Sequence, residues 1–141
     1  MFTISATEVR KEWSLVVDNV VRQRPQFIKR TRDYLMLTNL DMMEEVLSAY
    51  HFSAEQYKED DGSITLSLNE IDLIENAPTL EAAKIALAKS ILEYAEDFYK
   101  DFSYWGSAPN RKSHIPYVLK ALILNDPEKI GEQISCHDGK N

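Results

Sequence analysis

Thr3-Ile4-Ser5-Ala6-Thr7-Glu8-Val9-Arg10-Lys11-Glu12-Trp13 and the run Pro25 to Leu37 are the two stretches on which the fold turns. Phe2-Thr3-Ile4 is a short alternating apolar run, the pattern of an edge strand. Ser5 follows it, and Glu8 stands three residues on. At that spacing a serine hydroxyl and a glutamate carboxylate each satisfy an orphan backbone N–H at a helix start. Val9, Trp13, Val16, Val17 and Val20 then recur at steps of four, three, one and three, so they share one helix face. The helix should end near Gln23, because Pro25 disfavours helical geometry in the residue before it. Phe27-Ile28 and Tyr34-Leu35-Met36-Leu37 flank the cluster Lys29-Arg30-Thr31-Arg32-Asp33. That reads as two strands joined by a short basic turn, one without the glycine such turns favour. Asn39 caps a further helix with Asp41 in its first turn and Met42, Met43, Val46, Leu47 and Tyr50 as its apolar positions.

A β-α-β-β-α order is thus expected within the first fifty or so residues. A lone domain of that size buries too little surface for stability, so a homodimer is expected. Beyond Phe52 the reading continues with a turn signal at Glu59-Asp60-Asp61-Gly62. Ile64, Leu66 and Leu68 alternate with Thr65, Ser67 and Asn69 as in a half-buried strand. Ile71, Leu73 and Ile74 imply another strand, broken at Asn76-Ala77-Pro78. Thr79 caps a long helix running to about Ser103, with Leu80, Ala83, Leu87, Ile91, Tyr94, Ala95, Phe98 and Phe102 on one face. Gly106, Pro109 and Asn110 close that segment. Pro116 opens a helix containing Tyr117, Val118, Ala121, Leu122 and Leu124, and Asp126-Pro127 starts a short one. His137 to Asn141 are expected to fray. The fold class is α+β, divided into residues 1–52 and 53–141.

Composition narrows the function classes. The 141 residues are 44% hydrophobic and 28% charged, with a mean hydropathy of -0.37, enough apolar material for a core. No apolar run approaches the ~20 residues of a membrane helix, and no basic region precedes an apolar one as in a secretory signal. The one cysteine, Cys136, cannot form an internal disulfide. A cytoplasmic protein is expected. The net charge of -7 is unevenly spread: residues 1–40 carry seven Arg or Lys against four acids, a balance of +3, which leaves -10 for the rest. A basic head suits phosphates and an acidic body suits a basic partner.

Nothing in the chain reads as an enzyme. His51, His114 and His137 lack metal-ligand spacing, and Cys136 beside His137 lies in the expected frayed tail. No phosphate-cradling glycine loop and no nucleophile elbow occur. Glu59-Asp60-Asp61 reads as a solvated turn. No metal and no cofactor are expected. Tyr99, Phe102, Tyr104 and Trp105, interleaved with Glu96, Asp97 and Asp101, form an aromatic helix end suited to a basic protein partner. Ser5, Thr7 and Arg10 at the start of the first helix, with the Lys29-Arg30-Thr31-Arg32 turn, suit phosphate and base edges.

The same residues resemble a family. Thr3 to Trp13 is similar to the opening I-S-x-[ST]-E-A-R-x-x-[LF] of the Phd/YefM (prevent-host-death) antitoxins. Pro25 to Leu37 is similar to their P-x-x-I-T-R-x-x-x-x-x-x-V-L hairpin, and Asn39 to Glu44 stands where their second helix begins. The resemblance implies a dimeric antitoxin of a bacterial type II toxin–antitoxin pair, one that represses its own operator and neutralises a cognate toxin, often an mRNA-cleaving one. The DNA contacts it implies are Ser5, Thr7, Arg10, Arg30 and Arg32. Toxin binding falls to the C-terminal region, with Tyr99, Phe102, Tyr104 and Trp105 as its expected contacts. Tyr57 to Ser67, followed by Ala77-Pro78-Thr79-Leu80-Glu81-Ala82-Ala83, resembles the strand–strand–helix of HicB-like antitoxins. The rival readings are an orphan dimeric regulator with a ligand-sensing or oligomerising second domain, and a structural adaptor that never touches DNA.

Overall fold

The computed structural model describes residues 1–139 and divides into two compact units, Met1–Val46 and Leu47–Asn141. Lys140 and Asn141, the last of the residues expected to fray, lie outside the described residues.

In the first unit β1 (Thr3–Ser5) leads into α1 (Ala6–Lys11) and α2 (Trp13–Arg22). The expected single helix is therefore two. Glu12 departs from helical geometry (φ -111°, ψ 33°) while its N–H still bonds the Glu8 carbonyl at 3.0 Å. The change of direction takes Trp13 out of the apolar stripe, and it stands 53% exposed. β2 (Gln26–Arg30) and β3 (Asp33–Leu37) form the expected hairpin, and α3 (Leu40–Leu47) follows. Asn39 Oδ1 accepts the Met42 N–H at 2.8 Å, the cap expected there.

The sheet order is β1-β2-β3, with β1 parallel and β3 antiparallel to β2. Ile4 is in register with Ile28, and Ile28 with Leu35, so these side chains share the face turned toward the helices. There Ile4, Ile28 and Leu37 pack against buried Val9, Val16 and Val20. Phe27 pairs with Met36 and Lys29 with Tyr34 on the opposite face. Phe27, Tyr34 and Met36 are all exposed.

Arg30 opposes Asp33, leaving Thr31-Arg32 as a two-residue loop. Thr31 takes the left-handed conformation at φ 55° that a glycine or asparagine usually supplies. A β-branched residue is costly there, on the order of 1 kcal/mol. Thr31→Asn should therefore raise the stability of the first unit by about that amount, measured as a shift in its denaturation midpoint; an unchanged or lower midpoint contradicts it.

The second unit holds β4 (Phe52–Lys58), β5 (Ile64–Leu68), β6 (Ile74–Ala77), α4 (Leu80–Lys100), α5 (Phe102–Ser107), a 3-10 turn (Lys112–His114), α6 (Ile115–Leu124), α7 (Pro127–Glu132) and β7 (Ile134–Asp138). The sheet order is β6-β5-β4-β7. β7 lies parallel to β4, from Phe52 opposite Ile134 to Gln56 opposite Asp138. This corrects the expectation of fraying at His137 and Asp138. The free edge of β4 accepts the strand, and Ile134 is buried in return.

β6 also lies later than expected, and Asn76 sits inside it rather than breaking it. Its side-chain amide donates to Ser63 Oγ at 3.0 Å and Thr65 Oγ1 at 2.9 Å, which satisfies a polar group in mid-strand. α4 ends at Lys100, short of Ser103, and Phe102 belongs to α5. The core joins Phe52 and Leu66 on the strands to Leu87, Ile91 and Phe98 on α4, Val118 on α6 and Ile130 on α7, all buried. Phe52 thus belongs to the core of the second unit.

Candidate nucleic-acid interface

Ser5 closes β1 and caps α1, its Oγ accepting the Glu8 N–H at 3.1 Å. One turn on, Val9 is buried against the sheet, which leaves Thr7 and Arg10 on the exposed side of the helix. From the opposite direction the β2–β3 hairpin brings Lys29, Arg30 and Thr31. The two segments enclose an open groove of about 680 Å³. Ile28 and Leu35 line its apolar part, and Ser5, Thr7, Arg10, Lys29 and Arg30 its polar part. The two hydroxyls of Ser5 and Thr7, the Thr31 hydroxyl and three cations therefore converge from segments about twenty residues apart in sequence.

Four of the five residues expected to meet DNA line this groove: Ser5, Thr7, Arg10 and Arg30. Arg32 does not; it is exposed in the hairpin loop beside Thr31. Lys29, expected in the basic turn but not among the five DNA contacts, also lines the groove. The register pairs it with Tyr34, on the sheet face opposite Ile28 and Leu35. Its Nζ lies 5.5 Å from the Tyr34 ring centroid, a cation–π contact across the hairpin. α1 is six residues long, so few peptide dipoles align and the cationic side chains carry the attraction for an anion.

The aromatic segment divides. Phe102 and Trp105 are partly buried against the second core. Phe102 packs edge-on to Phe98, with ring centroids 5.3 Å apart, and the Arg111 guanidinium lies 5.1 Å from the Trp105 ring. Trp105, expected off the apolar stripe, is thus a structural residue, because the break at Asp101 turns α5 back over the core. Tyr99 and Tyr104 are 64% and 62% exposed and remain available to a partner. Among the described residues no group of His, Cys, Asp and Glu could hold a metal ion, and no helix is long and apolar enough to cross a membrane.

The family described as "Antitoxin of toxin-antitoxin, RelE / RelB, TA system" matches residues 1–136. The chain belongs to this antitoxin family. A crystal structure from Syntrophomonas wolfei subsp. wolfei, described as the antitoxin part of a proposed toxin/antitoxin system, superposes on it with a TM-score of 0.93. The two chains are 35% identical, over 99% of this chain and 100% of that one. No curated protein sequence matches.

For an antitoxin-family chain the extent of the match is informative. It takes in residues of both units, so the antitoxin family extends over both rather than over the first fifty residues alone. The α+β architecture is likewise that of an antitoxin structure over its whole length.

Proposed function

We propose that this antitoxin binds operator DNA as a homodimer through its first unit and neutralises a toxin through its second. The observation that carries the DNA reading is the convergence of Ser5, Thr7, Arg10 and Arg30 on one groove with an apolar floor. Lys29, Arg30 and the exposed Arg32 meet phosphates and supply salt-dependent affinity; the two hydroxyls fix register on the backbone. Arg10, rising from a short helix, reads a base edge, since a guanidinium matches the acceptors of guanine. Two copies present two such grooves to the half-sites of a palindrome.

Arg10→Ala should weaken operator binding by about 1–3 kcal/mol and relax sequence preference. A gel-shift titration with unchanged affinity would remove Arg10 from the interface. Arg32→Ala, outside the groove, should lower affinity evenly across sequences and flatten the salt dependence.

The toxin reading rests on charge and exposure. Residues 47–141 hold sixteen acids against nine Lys or Arg, a balance of -7, and Tyr99 and Tyr104 stand exposed beside Asp97 and Asp101. Aromatic anchors in an acidic surround suit a basic, RNA-handling toxin. In a pull-down with the protein encoded next to this chain, Tyr99→Ala combined with Tyr104→Ala should lose the toxin while operator binding persists. Toxin retained at full stoichiometry overturns that assignment.

A further inference from the structure

A second cavity, of about 330 Å³, lies wholly within the second unit, between the turn that follows β5 and the turn before α6. That volume sits at the lower end of the ~300–1,000 Å³ typical of small-molecule sites. Its walls differ in chemistry. Asn69, Glu70 and Asp72 line one side; Asn110, Arg111 and His114 line the other, with Tyr94 of α4 between.

The cationic wall is held rigidly. Arg111 donates from Nη1 to the Tyr94 hydroxyl at 3.0 Å and lies over the Tyr94 and Trp105 rings at 5.6 and 5.1 Å. Tyr94 Oη is 2.6 Å from His114 Nδ1. Burial, with the charge of Arg111 adding to it and that of Asp72 opposing it, lowers the pKa of His114. A neutral His114 accepts the tyrosine proton at Nδ1 and keeps its Nε2–H as a donor. The opposite wall is acidic. Glu70 is partly engaged, accepting the Ser53 N–H at 2.6 Å and the Ser53 hydroxyl at 2.5 Å. Asp72 acts on His114 across the cavity through its charge, with no hydrogen bond seen to it among the described residues, and Arg111 bonds Tyr94 rather than a carboxylate there. A carboxylate and a guanidinium thus border one small polar cavity from opposite walls.

We propose that this cavity is a binding site for a small zwitterion of the α-amino-acid class, its carboxylate on Arg111 and His114 and its ammonium on Asp72 and Glu70. Arg111 has four further N–H donors for a carboxylate, and a planar guanidinium matches that group in a bidentate fit. Neither the DNA reading nor the toxin reading enters this assignment, and no residue of the groove or of the Tyr99–Tyr104 surface is part of it.

The test uses the full chain and the twenty standard L-α-amino acids, each at millimolar concentration, in thermal-shift and calorimetric titrations. At least one should raise the melting temperature in a concentration-dependent way. Its N-acetyl derivative, lacking the ammonium, and its amide, lacking the carboxylate, should each bind about tenfold or more weakly. Arg111→Gln and Asp72→Asn should weaken binding by a similar factor; Asp72 is exposed, so its variant keeps the fold. Silence across all twenty, equal binding of both derivatives, or undiminished binding by Asp72→Asn overturns the proposal.

Discussion

Phe52→Ala is expected to lower the stability of the second unit by about 3–5 kcal/mol, the range for removing a fully buried phenylalanine. Phe52 is 0% exposed at the start of β4, a central strand with β5 on one side and β7 on the other. Its ring lies 5.9 Å from that of Tyr117 on α6, and its backbone is in register with Ile134 of β7. The deletion therefore opens a cavity where the sheet, α6 and the last strand meet, and rigid neighbours refill little of it. Each unit contains a single tryptophan, Trp13 in the first and Trp105 in the second, so a Trp13→Phe background lets urea denaturation report on the second unit alone. Tyr99→Ala on the exposed surface should change the midpoint by less than about 0.5 kcal/mol. A Phe52→Ala midpoint as close to wild type as that of Tyr99→Ala would mean that Phe52 does not organise this core.

Phe27→Asp combined with Met36→Asp is expected to convert the proposed dimer to monomers and to reduce the proposed operator affinity by about a hundredfold or more. Only Val9, Val16 and Val20 form the buried cluster of the first unit. Phe27, Tyr34 and Met36 stand together, uncovered, on the sheet face away from the helices. A unit this small would gain stability by covering that face with a second copy of itself, as the proposed dimer does. Two carboxylates opposite each other there repel across the hairpin and resist burial. The affinity loss follows because a monomer grips one half-site and forfeits the effective concentration that links the second. Light scattering gives the mass and circular dichroism checks that each chain stays folded. A mass unchanged from wild type would place the contact between copies elsewhere.

Both expectations depend on features of differing visibility in the sequence. The caps at Ser5, Asn39 and Thr79 were legible because capping is local: the hydroxyl or amide sits three residues from the N–H it serves. The hairpin was legible for a similar reason, since two alternating runs around a short polar turn leave few other pairings. The break at Glu12 was not, because its residues all tolerate a helix and no proline or glycine marks it. β7 was hidden as well. Its partner β4 lies about eighty residues earlier in the chain, and a short strand closing a parallel pair has no local turn to announce it.

The candidate groove follows the same division. The residue types at Ser5, Thr7, Arg10 and Arg30 carry the chemistry of anion recognition, and their spacing resembles an antitoxin pattern. What their order along the chain left open was which cations share a surface. The parallel pairing of β1 with β2 brings the start of α1 alongside β2, so Lys29 and Arg30 line the groove while Arg32 stays at the loop. Sequence determined the helix caps, the hairpin, the antitoxin class and the acidic second half, because those depend on composition and on interactions a few residues apart. Tertiary structure alone decided the turn at Glu12, the strands at Phe52–Lys58 and Ile134–Asp138, the partial burial of Trp105 and the meeting of Asp72 and Arg111 at one cavity. Each of these depends on which distant segments pack together, and packing in three dimensions leaves no periodic trace in the chain.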